Sequence, residues 1–174
     1  KLEKNKILRL KVNFSIPKPK RNSILSSKKL KGGVLMDMGP YISAISRLFF
    51  KSKPKKIIRN IIFKKRISSK IEVLFIYKDA YFFGKFSHDD DYKNYIEVYF
   101  KDKIIKLSRV FSPPALKKLE VKEFKMNKLK SKTFSDDIFK NYIKEIFIMI
   151  RKKKYNHYFK QMINDMKIRK NLQN

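Results

Sequence analysis

Asp37 and Tyr41 stand four residues apart, a few residues after a glycine pair, Gly32-Gly33. On a helix, residues i and i+4 lie on one face, so a carboxylate and a phenol at this spacing can point into a single pocket. An unperturbed tyrosine titrates near a pKa of about 10 and keeps its proton at neutral pH. It therefore suits handing a proton to an oxygen that is gaining negative charge, and resists acting as a base unless its pKa is lowered. Other chemistries have less to work with. There is no cysteine, hence no disulfide framework and no thiolate metal site. The two histidines, His88 and His157, have no ligand spacing between them. His88 stands beside the triplet Asp89-Asp90-Asp91, which reads as a solvated acidic loop with a surface histidine, the alternative for the triplet being a hard-cation site.

The elements that must position these groups follow from periodicity. Leu8 to Ile16 alternates apolar and polar without a miss, as a strand with one buried and one wet face does; Pro17 and Pro19 end it. A polar loop, Lys18 to Lys31, leads to Gly32 and Gly33, which permit a tight approach to a helix. Pro40 is tolerated only in a first helical turn, so the regular part is expected to begin near Met36 to Met38. Ile42, Ile45, Leu48 and Phe49 then make an apolar stripe.

After a charged break at Lys51 to Lys56 the pattern turns to strands, at Ile57–Phe63, Ile71–Tyr77, Tyr81–Phe86, Asn94–Phe100, Ile104–Ser108 and Leu119–Met126. Lys78-Asp79 and Lys101-Asp102-Lys103 read as hairpin turns, and Ser87 to Tyr92 as a longer loop. The tail is helical from Ile138 to Ile150, with Ser135 or Asp136 as N-cap, and again from about Tyr155 to Leu172. This order, with short links within the strand run, predicts an α+β domain: an open, mainly antiparallel sheet with helices on one face.

The run GGVLMDMGPY, Gly32 to Tyr41, resembles the first helix of the C-terminal domain in the glucose–fructose oxidoreductase / inositol dehydrogenase (Gfo/Idh/MocA) superfamily, where the pattern is GG-x-L-x-D-x-G-x-(His/Tyr). The opening strand KILRLKVNFSIP and the tail Phe139–Ile150 are similar to that domain too. Phe83–Pro114 resembles a stretch of the nucleotide-sugar 3-ketoreductases of the superfamily, with an aromatic-Arg-Asn-like segment before a strand and Arg-x-Phe-x-Pro after it. The resemblance implies the same open antiparallel sheet. It also implies a substrate-binding and dimerisation domain, spanning residues 1–174, of an NAD(P)-dependent oxidoreductase acting on a nucleotide-linked keto-sugar.

In that reading Tyr41 is the catalytic proton donor, and tyrosine in place of histidine favours ketone reduction. Asp37 contacts the sugar or orients Tyr41, Tyr92 and Asn94 line the pocket, and Arg109 binds substrate. Each has a structural reading beside it: Tyr41 as a core ring, Asp37 as a residue satisfying a helix N-terminus, Tyr92 and Asn94 as a loop-to-strand junction, Arg109 as an anchor for a neighbouring loop or carbonyl. Two departures from the pattern stand out. Lys31 replaces the first of three usual glycines, and the loop before it lacks an arginine near Ile24 or Leu25. No GxGxxG fingerprint and no Glu-Lys-Pro turn occurs, so the cofactor, NADP or NAD, is expected to be bound mainly by an N-terminal Rossmann domain outside this chain. A first residue that is lysine, with strand pattern already at Leu8, fits a piece of a longer protein.

The net charge of +30 raises the alternative of a stand-alone basic protein binding nucleic acid or other polyanions. Composition argues against it. Of 45 basic residues 37 are Lys and 8 Arg, spread along the chain, whereas base reading and bidentate phosphate gripping favour Arg. Abundant Ile (22) and scarce Ala (3) point to the bias of an AT-rich genome, so non-specific polyanion binding is what charge alone implies. No uncharged apolar run reaches the roughly 18–20 residues of a membrane span and no signal peptide is seen, which makes a cytoplasmic protein the expectation. Apolar residues on both alternation phases of Ile57–Phe63, Ile71–Tyr77 and Tyr81–Phe86 predict strands covered on both sides, by helices and by a partner sheet, hence a homodimer or larger.

Overall fold

A computed structural model describes residues 6–50, 52–113, 119–126, 128–134, 137–153 and 155–173. Its frame is one eight-stranded sheet: β1 (Arg9–Ser15), β2 (Lys56–Lys64), β3 (Ile67–Ile76), β4 (Tyr81–Ser87), β5 (Lys93–Tyr99), β6 (Ile104–Ser108), β7 (Leu119–Lys125) and β8 (Lys128–Phe134). The order is β2-β3-β4-β1-β5-β6-β7-β8, and every neighbouring pair is antiparallel except β1 with β4. The expected α+β class and open, mainly antiparallel sheet are what forms. The opening strand inserts at the centre, because alternating Leu10, Val12 and Phe14 bury one phase while Asn13 and Ser15 are also covered on the other.

Cross-strand register explains the core. Leu10, Phe82 and Phe75 align across β1, β4 and β3, as do Phe14, Phe86 and Ile71 four residues further on. These side chains share the helix-covered face, and all are buried. The covering helices are α1 (Val34–Asp37), α2 (Gly39–Phe49) and α4 (Asn156–Gln173); Val34, Ile42, Ile45 and Leu172 in them, and Met38 between α1 and α2, supply the buried contacts. Arg47 of α2 pairs with Asp165 of α4 at 3.1 Å, and Arg59 of β2 donates to the Leu172 carbonyl at 2.9 Å, fixing α4 over that edge.

Several elements differ from their sequence expectation. The β7 partner, β8, was not expected: KLKSKTF is almost wholly polar, and an exposed edge strand needs no apolar alternation. Ser135 and Asp136 lie outside the described residues; Asp137 caps α3 (Ile138–Arg151), its side chain accepting from the Lys140 N–H at 2.9 Å. Helix α3 does not add its stripe to the core, since Phe139, Tyr142, Ile143, Phe147 and Ile150 are exposed. Leu48 also leaves the expected stripe of α2, at 71% exposed. Ser46 takes an inward position instead and meets the Tyr77 hydroxyl at 2.7 Å. The β2–β3 turn holds Lys65 and Arg66 at φ 51° and 64°, left-handed backbone without a glycine. Among the described residues no helix is long and apolar enough to cross a membrane.

Candidate functional site

The glycine pair does its work by what it lacks. A Cβ on Gly32 would press on the Leu25 carbonyl oxygen at 2.6 Å, and one on Gly33 would meet the Ser68 Oγ at 2.7 Å. Gly33 also sits at φ 106°, which side-chain-bearing residues rarely adopt. Ser68 returns the contact by accepting from the Leu35 N–H at 3.0 Å, so α1 is docked onto the start of β3. The helix expected to carry Asp37 and Tyr41 together is broken. Asp37 is the last residue of α1, Met38 stands between the helices, and the Tyr41 N–H bonds the Met38 carbonyl at 3.0 Å, a tighter turn than α. Pro40 falls in the first turn of α2, where its missing N–H costs nothing. The i, i+4 argument therefore does not join the two side chains: Asp37 bonds His88, and the Tyr41 ring packs on Phe14 and Phe111.

Tyr41 rests edge-on against Phe14 at 5.7 Å and Phe111 at 5.3 Å between ring centroids, while Phe14 and Phe111 stack at 4.8 Å. The ring is thus held by core aromatics, yet the residue is 38% exposed, and no group among the described residues hydrogen-bonds its hydroxyl.

Phe111 is positioned by Asn94. This asparagine, buried at the start of β5, accepts from the Phe111 N–H at 3.1 Å and donates to Ser112 Oγ at 2.9 Å and to the Tyr92 hydroxyl at 3.1 Å. Its main-chain carbonyl takes the Arg109 N–H at 2.7 Å. Arg109 adopts φ 56°, and this left-handed residue turns the chain after β6 back toward Asn94. What Arg109 anchors it anchors through its backbone, while its side chain is exposed. Tyr92 lies at the rim, and its hydrogen bond with Ser112 (with smaller help from Asn94 and the Arg109 charge) draws its phenol below the ordinary tyrosine value. Tyr41, Tyr92, Asn94 and Arg109 are thereby gathered around Phe111, at the end of the sheet where β1 and β4 finish and β5 begins. Pro114, in the same resemblance, lies outside the described residues.

Asp37 reaches this end from the other side, and its partner is the residue misread from sequence. His88 is 4% exposed, and its Nε2 lies 2.9 Å from Asp37 Oδ2. The surface histidine expected beside three aspartates is a buried one. The reason is tertiary: the His88 N–H bonds the Ser69 carbonyl at 2.9 Å, Asp89 pairs with Lys64, and Asp90 pairs with Lys85 at 2.8 Å. Two of the acidic triplet are consumed by strand lysines, so the loop is stapled down instead of solvated; the Lys85 ammonium holds the Asp90 carboxyl below the usual range. Among the described residues no cluster of potential ligands could hold a metal ion.

No family model matches the chain, and no curated protein sequence matches it significantly. Solved structures do match by shape. KijD10, a 3-ketoreductase from Actinomadura kijaniata crystallised with NADP and TDP-benzene, superimposes with a TM-score of 0.83 at 17% identity, over 92% of this chain and 51% of that one. UDP-N-acetylglucosamine 3-dehydrogenase GnnA from Acidithiobacillus ferrooxidans gives 0.67 at 9% identity, over 86% of this chain and 46% of that one. The chain spans about half the length of these structures. The eight-stranded fold of this chain is thus similar to that of about half of KijD10.

Proposed function

We propose that this chain is the substrate-binding half of an NAD(P)-dependent oxidoreductase acting on a nucleotide-linked keto-sugar, with Tyr41 as proton donor. The observation that carries the reading is Tyr41 itself. It occupies the motif position for a proton-handling residue, and its ring is locked by Phe14 and Phe111, with no hydrogen-bond partner to its hydroxyl among the described residues. Similarity of fold to an enzyme crystallised with NADP and TDP-benzene supports the substrate class and cofactor.

Among the described residues the four glycines do not form a dinucleotide cradle. Gly32 and Gly33 press against backbone and Ser68, Gly84 lies within β4, and Gly39 opens α2. NADP or NAD therefore belongs, in this reading, to an N-terminal Rossmann domain, and the work of this chain is to bind the sugar and move the proton. Asp37, with 40% of its side chain exposed, offers an acceptor for a sugar hydroxyl, Tyr92 offers a hydroxyl at the rim and Arg109 a cation for the diphosphate. The neutral phenol of Tyr41 gives its proton to the carbonyl oxygen as that oxygen becomes an alkoxide, which is why a protonated tyrosine suits the reductive direction. The open sheet face, where Ile58, Leu74 and Phe83 align across β2, β3 and β4, is the surface assigned to self-association.

The test is activity of the chain joined to a nicotinamide-binding N-terminal domain. Reduction of a nucleotide-linked keto-sugar is expected, and Tyr41→Phe should lower turnover roughly 10²–10⁴-fold with little change in substrate affinity. An unchanged turnover in Tyr41→Phe would remove the tyrosine from its role.

A further inference from the structure

Asp37 and His88 form a pair unlike the other ion pairs among the described residues. Acidic side chains in this lysine-rich chain are generally taken by lysines: Asp79 by Lys6, Asp90 by Lys85, Glu97 by Lys106 and Glu123 by Lys103. Asp37 is an exception, since among the described residues no lysine or arginine reaches it and its partner is a buried imidazole. A carboxylate only accepts, so the ring contributes an Nε2–H donor to Oδ2. One donor occupies one oxygen. With 40% of the Asp37 side chain exposed, acceptor capacity remains on the side facing solvent.

The ring is itself immobilised by its loop. The His88 main chain bonds β3 through Ser69, Asp89 and Asp90 hold lysines of β2 and β4, and the Asp89 N–H donates to Ser87 Oγ at 3.1 Å. On the opposite side Asp37 is fixed at the end of a single helical turn, docked on Ser68 through Leu35. Two elements far apart in sequence, the end of α1 and the loop after β4, thus meet in one directed hydrogen bond. A flexible lysine would neutralise the carboxylate; a buried imidazole aims it and leaves its second oxygen available.

We propose that His88 is a positioning residue: its Nε2–H fixes the Asp37 carboxylate so that the free oxygen accepts a hydroxyl of the bound sugar. This rests on the keto-sugar reading above and adds to it a residue that the motif does not contain. A hydrogen bond to a charged group is strong enough for its loss to be read as affinity.

The test uses the 174-residue chain with two probes, TDP-glucose as a stable analogue of a reduced product and TDP alone, their affinities measured by calorimetry. His88→Leu, which removes the donor, should weaken TDP-glucose about tenfold and leave TDP unchanged, while His88→Gln, which keeps an N–H, should recover most of the loss. Combined with Asp37→Asn, His88→Leu should add nothing further. Equal weakening of both probes, no weakening of TDP-glucose, or additive effects would overturn the assignment. Should His88→Leu fail to fold, the ring nitrogen resonances of the wild-type chain decide: the Nε2 signal is expected to shift on adding TDP-glucose but not TDP, and to shift in Asp37→Asn. A signal indifferent to Asp37→Asn would overturn the pairing. A wild-type chain that binds TDP-glucose no better than TDP would instead overturn the keto-sugar reading beneath it.

Discussion

At the scale of the residue, the chain uses tyrosines in two opposite ways. Tyr41 is partly exposed, with no hydroxyl partner among the described residues, whereas Tyr77 is buried between α2 and the end of β3, stacked on Phe50 at 4.1 Å and bonded to Ser46. Burial pushes the Tyr77 phenol up to about 12, a rise only partly offset by Ser46. The unfolded chain releases that proton near 10 and the folded chain holds it to about 12, so stability is full below 10 and falls as pH rises through this window. The loss is on the order of 3 kcal/mol. Urea unfolding at the two ends of the window should show it, and Tyr77→Phe should lose less over the same interval; an equal loss would mean that other groups carry the effect. Asn94 shows how one buried amide orders its surroundings, since it holds Phe111 and Ser112, and Phe111 packs against Tyr41. His88 shows what sequence could hide. Its neighbours along the chain are aspartates that look solvated, yet Lys64 of β2 and Lys85 of β4 pair with two of them, and the His88 N–H bonds Ser69 of β3.

At the scale of the element, strands were read well where apolar alternation was forced by burial and badly where it was not. Residues Ile104–Ser108 form β6 as expected, and most other strands match to within a residue or two at each end. The β3 strand starts four residues early at Ile67 because its first residues pair with β2 beyond the turn at Lys65-Arg66. The polar β8 gave no signal at all. The α1–α2 break was hidden for a related reason: Gly39 and Pro40 permit both one helix with an N-terminal proline and two helices joined at Met38, and the docking of Leu35 on Ser68 selects the second. Gly33→Ala tests this docking. The added methyl would meet Ser68 and Ile67 at a φ that alanine avoids, so the variant should be less stable by about 1–3 kcal/mol. Calorimetric melting measures it, and a melting point equal to wild type would show that the α1 docking is not held by this geometry.

At the scale of the molecule, the sheet is covered on one side and open on the other. The open face mixes an apolar row, Ile58, Leu74 and Phe83, with charges such as Lys11 and Lys106 paired to Glu97. Ile58, Tyr81 and Phe83 remain exposed there. Burying that face against a second copy would remove apolar surface from water while keeping the charged row internally paired. Light scattering at micromolar concentration, in enough salt to screen two chains of charge +30, is expected to give at least a dimer, and Phe83→Lys should shift it toward monomer. A folded, strictly monomeric wild type would refute the assembly.

What the sequence determined by itself was periodic or steric. Alternation in β1, the apolar patterning of the later strands and the glycines before α1 follow from local burial or backbone freedom, and they suffice for the sheet class. Tertiary structure decided the rest: the parallel insertion of β1 beside β4, the Asn94 clasp on Phe111, and the pairing of His88 with Asp37. Those bonds join residues 17 to 72 positions apart, counting from Asn94 to Phe111 and from Arg9 to Tyr81. No local pattern encodes such contacts, because each depends on which strand the sheet sets beside which, and register alone brings the partners within hydrogen-bonding reach.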